Sequence, residues 1–257
     1  MTIQLKTPAD IKILREGGKR HAFILKQVVK AVAPGVTAKY LDDLAARLIA
    51  EGGDTAAFLN YKPYGAKRPY PASLIVSVND AVVHGIPNEK EIVLREGDIV
   101  SLDLGLVHKG MITDAAVTVP VGKVSKEAKL LLKATKEALA IAIKEAKPGN
   151  TTGDIGNAVE RIIRPLGFGI VEELAGHGVG FSVHEDPYVP NYGNPGEGEV
   201  LVPGMVIAIE PIINIGSPKV RLDRIDGYTY RTVDGSLSAH FEHTVAITKR
   251  GCQILTK

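Results

Sequence analysis

Two stretches of this 257-residue chain carry one pattern, and that repetition constrains the fold more than any other feature. APGVTAKYLDDLAARLIAEGG begins at Ala33 and KPGNTTGDIGNAVERIIRPLG at Lys147. At one constant spacing Pro34, Gly35, Thr37, Arg47, Ile49 and Gly53 meet Pro148, Gly149, Thr151, Arg161, Ile163 and Gly167. Each stretch has a Pro-Gly turn, then Thr as a candidate helix N-cap, then an amphipathic run that ends near Gly. Leu41, Leu44, Leu48 and Ile49 keep helical spacing. Further matches follow in the same order. VHGIP from Val83 meets VHEDP from Val183, and EGDIVSLDLG from Glu96 resembles PGMVIAIEPI from Pro203, with Asp103 facing Glu210. Each half then ends in a strand with a further acid, Asp114 in the first and Glu242 in the second. Four short matches in one order are hard to obtain by chance. They predict two similar halves, about 33–120 and 147–250, packed as a single domain over 1–257. The period is too long for a solenoid, whose repeats run to roughly 20–50 residues. The hairpin-like strands predict a mainly antiparallel sheet with helices on one face, an α+β architecture.

Composition removes several function classes. A 45% hydrophobic content suffices for a full core, while a net charge of +2 gives no general attraction to nucleic acid or membranes. The one cysteine, Cys252, excludes a disulfide within the chain and fits a reducing compartment. The N-terminus is charged throughout, and no apolar run has the length that spans a bilayer. A cytoplasmic protein is the expectation. A G-x-S-x-G elbow and a P-loop are both missing from the sequence.

The stretch IVSLDLGLVHKGMITDAAVTV, residues 99–119, reads as two strands joined by a tight turn, each with an aspartate in apolar company. Alternation puts Val100, Leu102, Leu104 and Leu106 on one face and Asp103 on the other. With the turn at His108-Lys109, Asp103 and Asp114 are expected directly opposite one another, roughly 5 Å apart at Cβ. Two facing carboxylates stay ionised only around a cation or in water, so the choice lies between an exposed polar face and a metal cage. Glu210 and Glu242, each an acid in an apolar strand, favour the cage: four acids at equivalent strand positions make an oxygen-rich site for divalent metal. ELAGHGVGFSVHEDP adds His177 between glycines and His184 seven residues on, and at least one of these is expected to supply a nitrogen ligand. Carboxylates able to bridge, with imidazole, suit a pair of Mn, Fe, Co, Zn or Ni ions, and the sequence does not choose among them.

Asp103, Asp114, His177, Glu210 and Glu242, with the strings VVHGIP, SLDLG, TDAA, AGHGVG, AIEP and FEHT, resemble the pita-bread metallopeptidases, and among them the type I methionine aminopeptidases in their bacterial short form. The resemblance covers nearly the whole chain and implies the two-fold frame seen in the repeat. It implies that Asp103 chelates one ion, that Asp114 and Glu242 bridge both, and that His177 and Glu210 complete the other shell. It implies removal of the initiator methionine from nascent chains with a small second residue, by attack of a metal-bridging water or hydroxide. Glu210 is then the proton shuttle, His184 the contact to the scissile amide, and His84 the holder of the substrate backbone. A free substrate α-amino group on the metal explains exopeptidase action. By alignment to the family, Phe58, Tyr61, Tyr70, Ile75 and Tyr228 line the methionine pocket. YKPYGAKRPY, from Tyr61 to Tyr70, is longer than usual and brings Lys62, Lys67 and Arg68 to the entrance. The simple reading of these charges is a solvated loop; the alternative is a transient contact with ribosomal RNA. A monomer is the family's expectation. Two other functions remain: an X-Pro peptidase of the same fold, and an inactive ribosome-associated binding protein.

Overall fold

The computed structural model describes residues 3–257. The first half runs α1 (Pro8–Ala31), α2 (Ala38–Glu51), β1 (Thr55–Ala56), β2 (Leu74–Val78), β3 (Ala81–Val83), β4 (Ile99–His108) and β5 (Met111–Pro120). The second runs α3 (Lys126–Glu145), α4 (Thr152–Ile163), β6 (Gly169–Ile170), β7 (Gly176–Gly178), β8 (Glu185–Val189), β9 (Val206–Ile209) and β10 (Ile212–Asn214). It continues through β11 (Val220–Leu222), β12 (Tyr230–Thr232), β13 (Ser238–His240), β14 (His243–Thr248) and β15 (Gly251–Ile254). Every strand pairing among the described residues is antiparallel.

The repeated sequence makes repeated contacts. Thr37 caps α2 through its side chain and Thr151 caps α4 in the same way, each accepting a backbone N–H of the first turn. The preceding Gly35 and Gly149 take φ of 87° and 89°, a conformation that favours glycine. Their N–H groups donate to Leu94 and Leu201, and Thr37 and Thr151 form bridges with Val93 and Val200. β1 pairs with the end of β4 as β6 pairs with β10. Val100, Leu102, Leu104 and Leu106 pack against Ile24, Val28, Leu41 and Ile49 of α1 and α2. Ile207, Ile209 and Ile213 pack in the same way with Leu131, Leu139, Ile155 and Val159 of α3 and α4. Burying each such side chain contributes about 1.5–3 kcal/mol. With one strand face committed to the helices, the alternate residues Asp103 and Glu210 are left on the inner face.

The β4–β5 register differs from the expected one. The turn falls at Lys109-Gly110, with φ of 49° and 81°, so both central residues have the positive φ of a type I′ turn. Asp103 therefore faces Ala116, and Asp114 faces Gly105. The two aspartates share a face but lie diagonally rather than directly opposite. Nor are the four acids at equivalent positions. Gly105–Asp114 in the first half stands where Ile212–His240 stands in the second, and Leu102–Val117 where Ile209–His243 stands. Asp103 matches Glu210, whereas Asp114 matches His240 and Glu242 matches Ala116.

The halves meet along a seam between β5 and the β13–β14 segment. Thr118 Oγ1 accepts from His240 N–H and donates to His240 C=O, both at 2.8 Å. Its counterpart Thr244 accepts from Asp114 N–H at 2.8 Å and donates to Asp114 C=O at 2.7 Å. Between them Glu242 N–H donates to Ala116 C=O. Two hydroxyls thus replace ladder bonds at symmetric places and fix Asp114 beside Glu242. Thr244→Val keeps the shape and orphans both backbone groups of Asp114. It should cost about 1–3 kcal/mol in urea unfolding; unchanged stability would mean that the hydroxyl does not hold the seam.

Candidate metal centre and substrate cavity

The inner faces of the two halves enclose a cavity of about 170 Å³. Its lining includes every residue expected as a metal ligand, catalytic group or pocket wall: Asp103, Asp114, His177, Glu210, Glu242, His84, His184, Phe58, Tyr61, Tyr70, Ile75 and Tyr228. Asp103, Asp114 and Glu242 are buried, which rules out the exposed polar face. Asp114, His177 and Glu242 each offer a ligand atom, all within 4.8 Å of one another.

Local structure explains each placement. Asp103 pairs with Ile75 across β2, so a pocket residue and an acid stand side by side. Gly105, next on that face, makes room for Phe58: a Cβ there would lie 2.7 Å from the ring. His177 sits between glycines because two strands crowd β7. A Cβ on Gly176 would lie 2.3 Å from Ala208 C=O, and one on Gly178 2.1 Å from Asp186 C=O. His177 Nδ1 lies 2.9 Å from Gly178 C=O, which makes that nitrogen the donor and turns Nε2 toward the acids. His84 holds φ of 59°, rare for a residue with a side chain. The following Gly85 pins it, bonded to Val76, Ser77 and the Tyr70 hydroxyl. His184 Nδ1 lies 3.0 Å from the Tyr61 hydroxyl, and its ring stands edge-on to His177 at 4.5 Å.

The electrostatics are those of a cation site. Burial pushes the Asp103 carboxyl up to about 7. Burial, then the neighbouring acids, push Asp114 and Glu242 well above the carboxylate range. Asp103 Oδ1 and Asp114 Oδ1 are buried without a hydrogen-bond partner. Buried carboxylates left so are costly unless a cation joins them. An oxygen-rich set with one oriented imidazole fits divalent ions such as Mn, Fe, Co or Zn. Glu210 differs: burial opposes its charge, but His240, His177 and His184 outweigh it and hold the carboxyl low. His84 is depressed to about 4 by burial, so it is a neutral partner at neutral pH.

Two features escaped the sequence reading. His240 is buried with Nε2 at 3.3 Å from Glu210 Oε2. Strand alternation from Glu242 could have found it, since residues two apart share a face. Lys6 forms a buried ion pair with Glu185, whose other oxygen accepts from Phe181 and Ser182 N–H and ties the turn that carries His184. Only the folded chain brings Lys6 there. In the 61–70 loop Arg68 is paired with Glu89 and donates to Asp226 C=O, while the Tyr228 hydroxyl donates to Arg68 C=O. The loop is latched to the cavity wall.

A two-fold frame with buried carboxylates and an oriented imidazole at its centre defines a divalent-metal enzyme. The chain matches metallopeptidase family M24 over residues 12–249. A methionine aminopeptidase of Aquifex aeolicus is 46% identical over 100% of both chains. The crystal structure of methionine aminopeptidase from Thermotoga maritima superposes with a TM-score of 0.93 at 43% identity, with 100% of each chain covered. Prolidase from Pyrococcus furiosus superposes at 0.76 and 26% identity, covering 98% of this chain and 65% of that one. The chain belongs to metallopeptidase family M24, within its methionine aminopeptidases, and has their pita-bread fold.

The raised acids fix the sign of a pH effect. Folded carboxyls with raised pKa hold protons that the unfolded chain has released, so the metal-free protein loses stability as pH rises through about 7. Histidines with lowered pKa contribute little there, being mostly neutral in both states. The melting temperature of metal-free protein should fall as pH rises through about 7, and the rise on adding Mn(II) should be larger above that pH than below it. A flat melting temperature without metal would contradict the buried, uncompensated acids.

Proposed function

We propose that this chain, acting as one catalytic domain, removes the initiator methionine from nascent polypeptides whose second residue is small, using two divalent ions. The observation that carries this reading is the juxtaposition of orphaned buried carboxylates with an apolar pocket of Phe58, Tyr61, Tyr70, Ile75 and Tyr228 in one cavity. The family membership supports hydrolysis of peptides, and the pocket supports an unbranched apolar first residue. Nascent chains as partner place this work in the cytoplasm. No described helix is long and apolar enough to cross a membrane. Arg68, engaged by Glu89, favours the loop as a latch over an RNA contact.

Asp103, Asp114, His177, Glu210 and Glu242 would hold the ions. When bound, the ions supply a water activated near neutral pH and an anchor for the free α-amino group. The chain does the rest. The aromatic pocket takes the methionine side chain and excludes water. Glu210, kept ionised by its histidine neighbours, accepts a proton on its carboxylate and returns it to the leaving amine. His184, its ring set by Tyr61, presents Nε2 to the scissile carbonyl as a hydrogen-bond donor. His84, neutral and rigidly placed, hydrogen-bonds the substrate backbone near the leaving amide.

The test is a paired assay of protein loaded with Mn or Co. Met-Ala-peptide should lose methionine, and Ala-Pro-peptide should remain whole. Cleavage of the second alone would move the chain to the proline-specific readings, and cleavage of neither by metal-loaded protein would favour the binding-protein reading. Glu210→Ala should cut turnover by about 10²-fold or more and weaken metal binding; near-normal turnover would remove it from both roles.

A further inference from the structure

We propose that His240 is a positioning residue of the metal centre: its Nε2–H donates to Glu210 Oε2 and leaves Glu210 Oε1 to meet the ion beside His177. The proposal rests on the metal-centre reading above. Glu210 is presented to two imidazoles, one per oxygen. Oε1 lies 3.5 Å from His177 Nε2, and Oε2 lies 3.3 Å from His240 Nε2. The two rings differ in their far nitrogen. His177 Nδ1 is engaged by Gly178 C=O, which leaves Nε2 with its lone pair free for an ion. A histidine that ligates a metal almost always has its second nitrogen held in this way. Both ring nitrogens of His240 are buried without a completed hydrogen bond. Of the two, it is Nε2 that faces carboxylates within 4 Å, Glu210 at 3.3 Å and Glu242 at 3.9 Å, so a proton is favoured there. A neutral ring with one proton therefore carries it on Nε2, where it is a donor and not a ligand.

The backbone that carries the ring is also fixed on both of its polar groups. Thr118 binds both backbone groups of His240, and Ile212 pairs with it across β10. The Glu210 backbone is fixed by Asn191, whose side-chain amide donates to its C=O at 2.9 Å. Only the carboxylate torsions remain, and a donor on Oε2 sets them. The acid that binds metal and moves the proton thus gives one oxygen to each neighbour. In the pseudo-symmetric frame His240 occupies the place of Asp114, so the second half supplies a donor where the first supplies a ligand.

Glutamine separates the two roles, because its amide nitrogen can donate near the place of Nε2 but is a poor metal ligand. Metal-free wild type, His240→Ala and His240→Gln would be titrated with Mn(II) by calorimetry, and their Co(II) absorption spectra recorded. The alanine variant should lose roughly 10–100-fold in affinity and show an altered Co(II) spectrum, with kcat lowered more than KM is raised. The glutamine variant should restore affinity and spectrum. An alanine variant that matches wild type in both would overturn the proposal, and so would equal loss in both variants, which would make His240 a ligand itself. If the alanine variant does not fold, the glutamine variant decides alone: wild-type affinity and spectrum support a donor, and their loss contradicts it. Wild type that binds neither ion would sink the metal reading beneath the proposal, an outcome distinct from these.

Discussion

The structure depends on one electrostatic constraint: carboxylates removed from water on the inner faces of two joined hairpins. Asp103, Asp114 and Glu242 are all buried, and burial drives each toward the protonated form. No apolar packing argument places acids there. A fold that keeps them must have a cation that offsets the cost of desolvation, since unpaired buried charges cost far more than surface ones. Cation binding and folding are then linked, because a bound cation favours the arrangement in which the acids converge.

The duplicated frame delivers that convergence. In each half, two helices cover one face of a long strand pair and leave the other face free for polar residues. The seam at Thr118 and Thr244 then sets the two strand pairs in register. Symmetry accounts for the matching of Asp103 with Glu210, and departures from it create function. Asp114 and His240 occupy equivalent places with different chemistry, and Glu242 stands where the first half has Ala116. The cavity is asymmetric for the same reason, with Phe58, Tyr61 and Tyr70 all coming from the first half.

Much of this was legible in the chain. Pro-Gly-x-Thr openings showed the paired helices because turn and cap chemistry is local. Alternation showed which face of β4 held the acid. The glycines on either side of His177 drew attention to that histidine, and the structure shows them where two strands crowd β7. The register was harder. His-Lys-Gly admits two turns, and the twist of the hairpin, which favours positive φ at Lys109 and Gly110, chooses between them. Shifting the turn by one residue kept the acids on one face but made them diagonal. His240 and the Lys6–Glu185 pair depend on contacts between distant segments, and no local pattern specifies their partners.

Anomalous diffraction from crystals of Mn-loaded protein tests the central claim most directly. The account predicts two strong peaks in the cavity, bounded by Asp103, Asp114, His177, Glu210 and Glu242, with Asp114 and Glu242 between them. Fully loaded crystals with no peak there, or with manganese bound only elsewhere, would contradict the claim that these buried acids exist to hold cations.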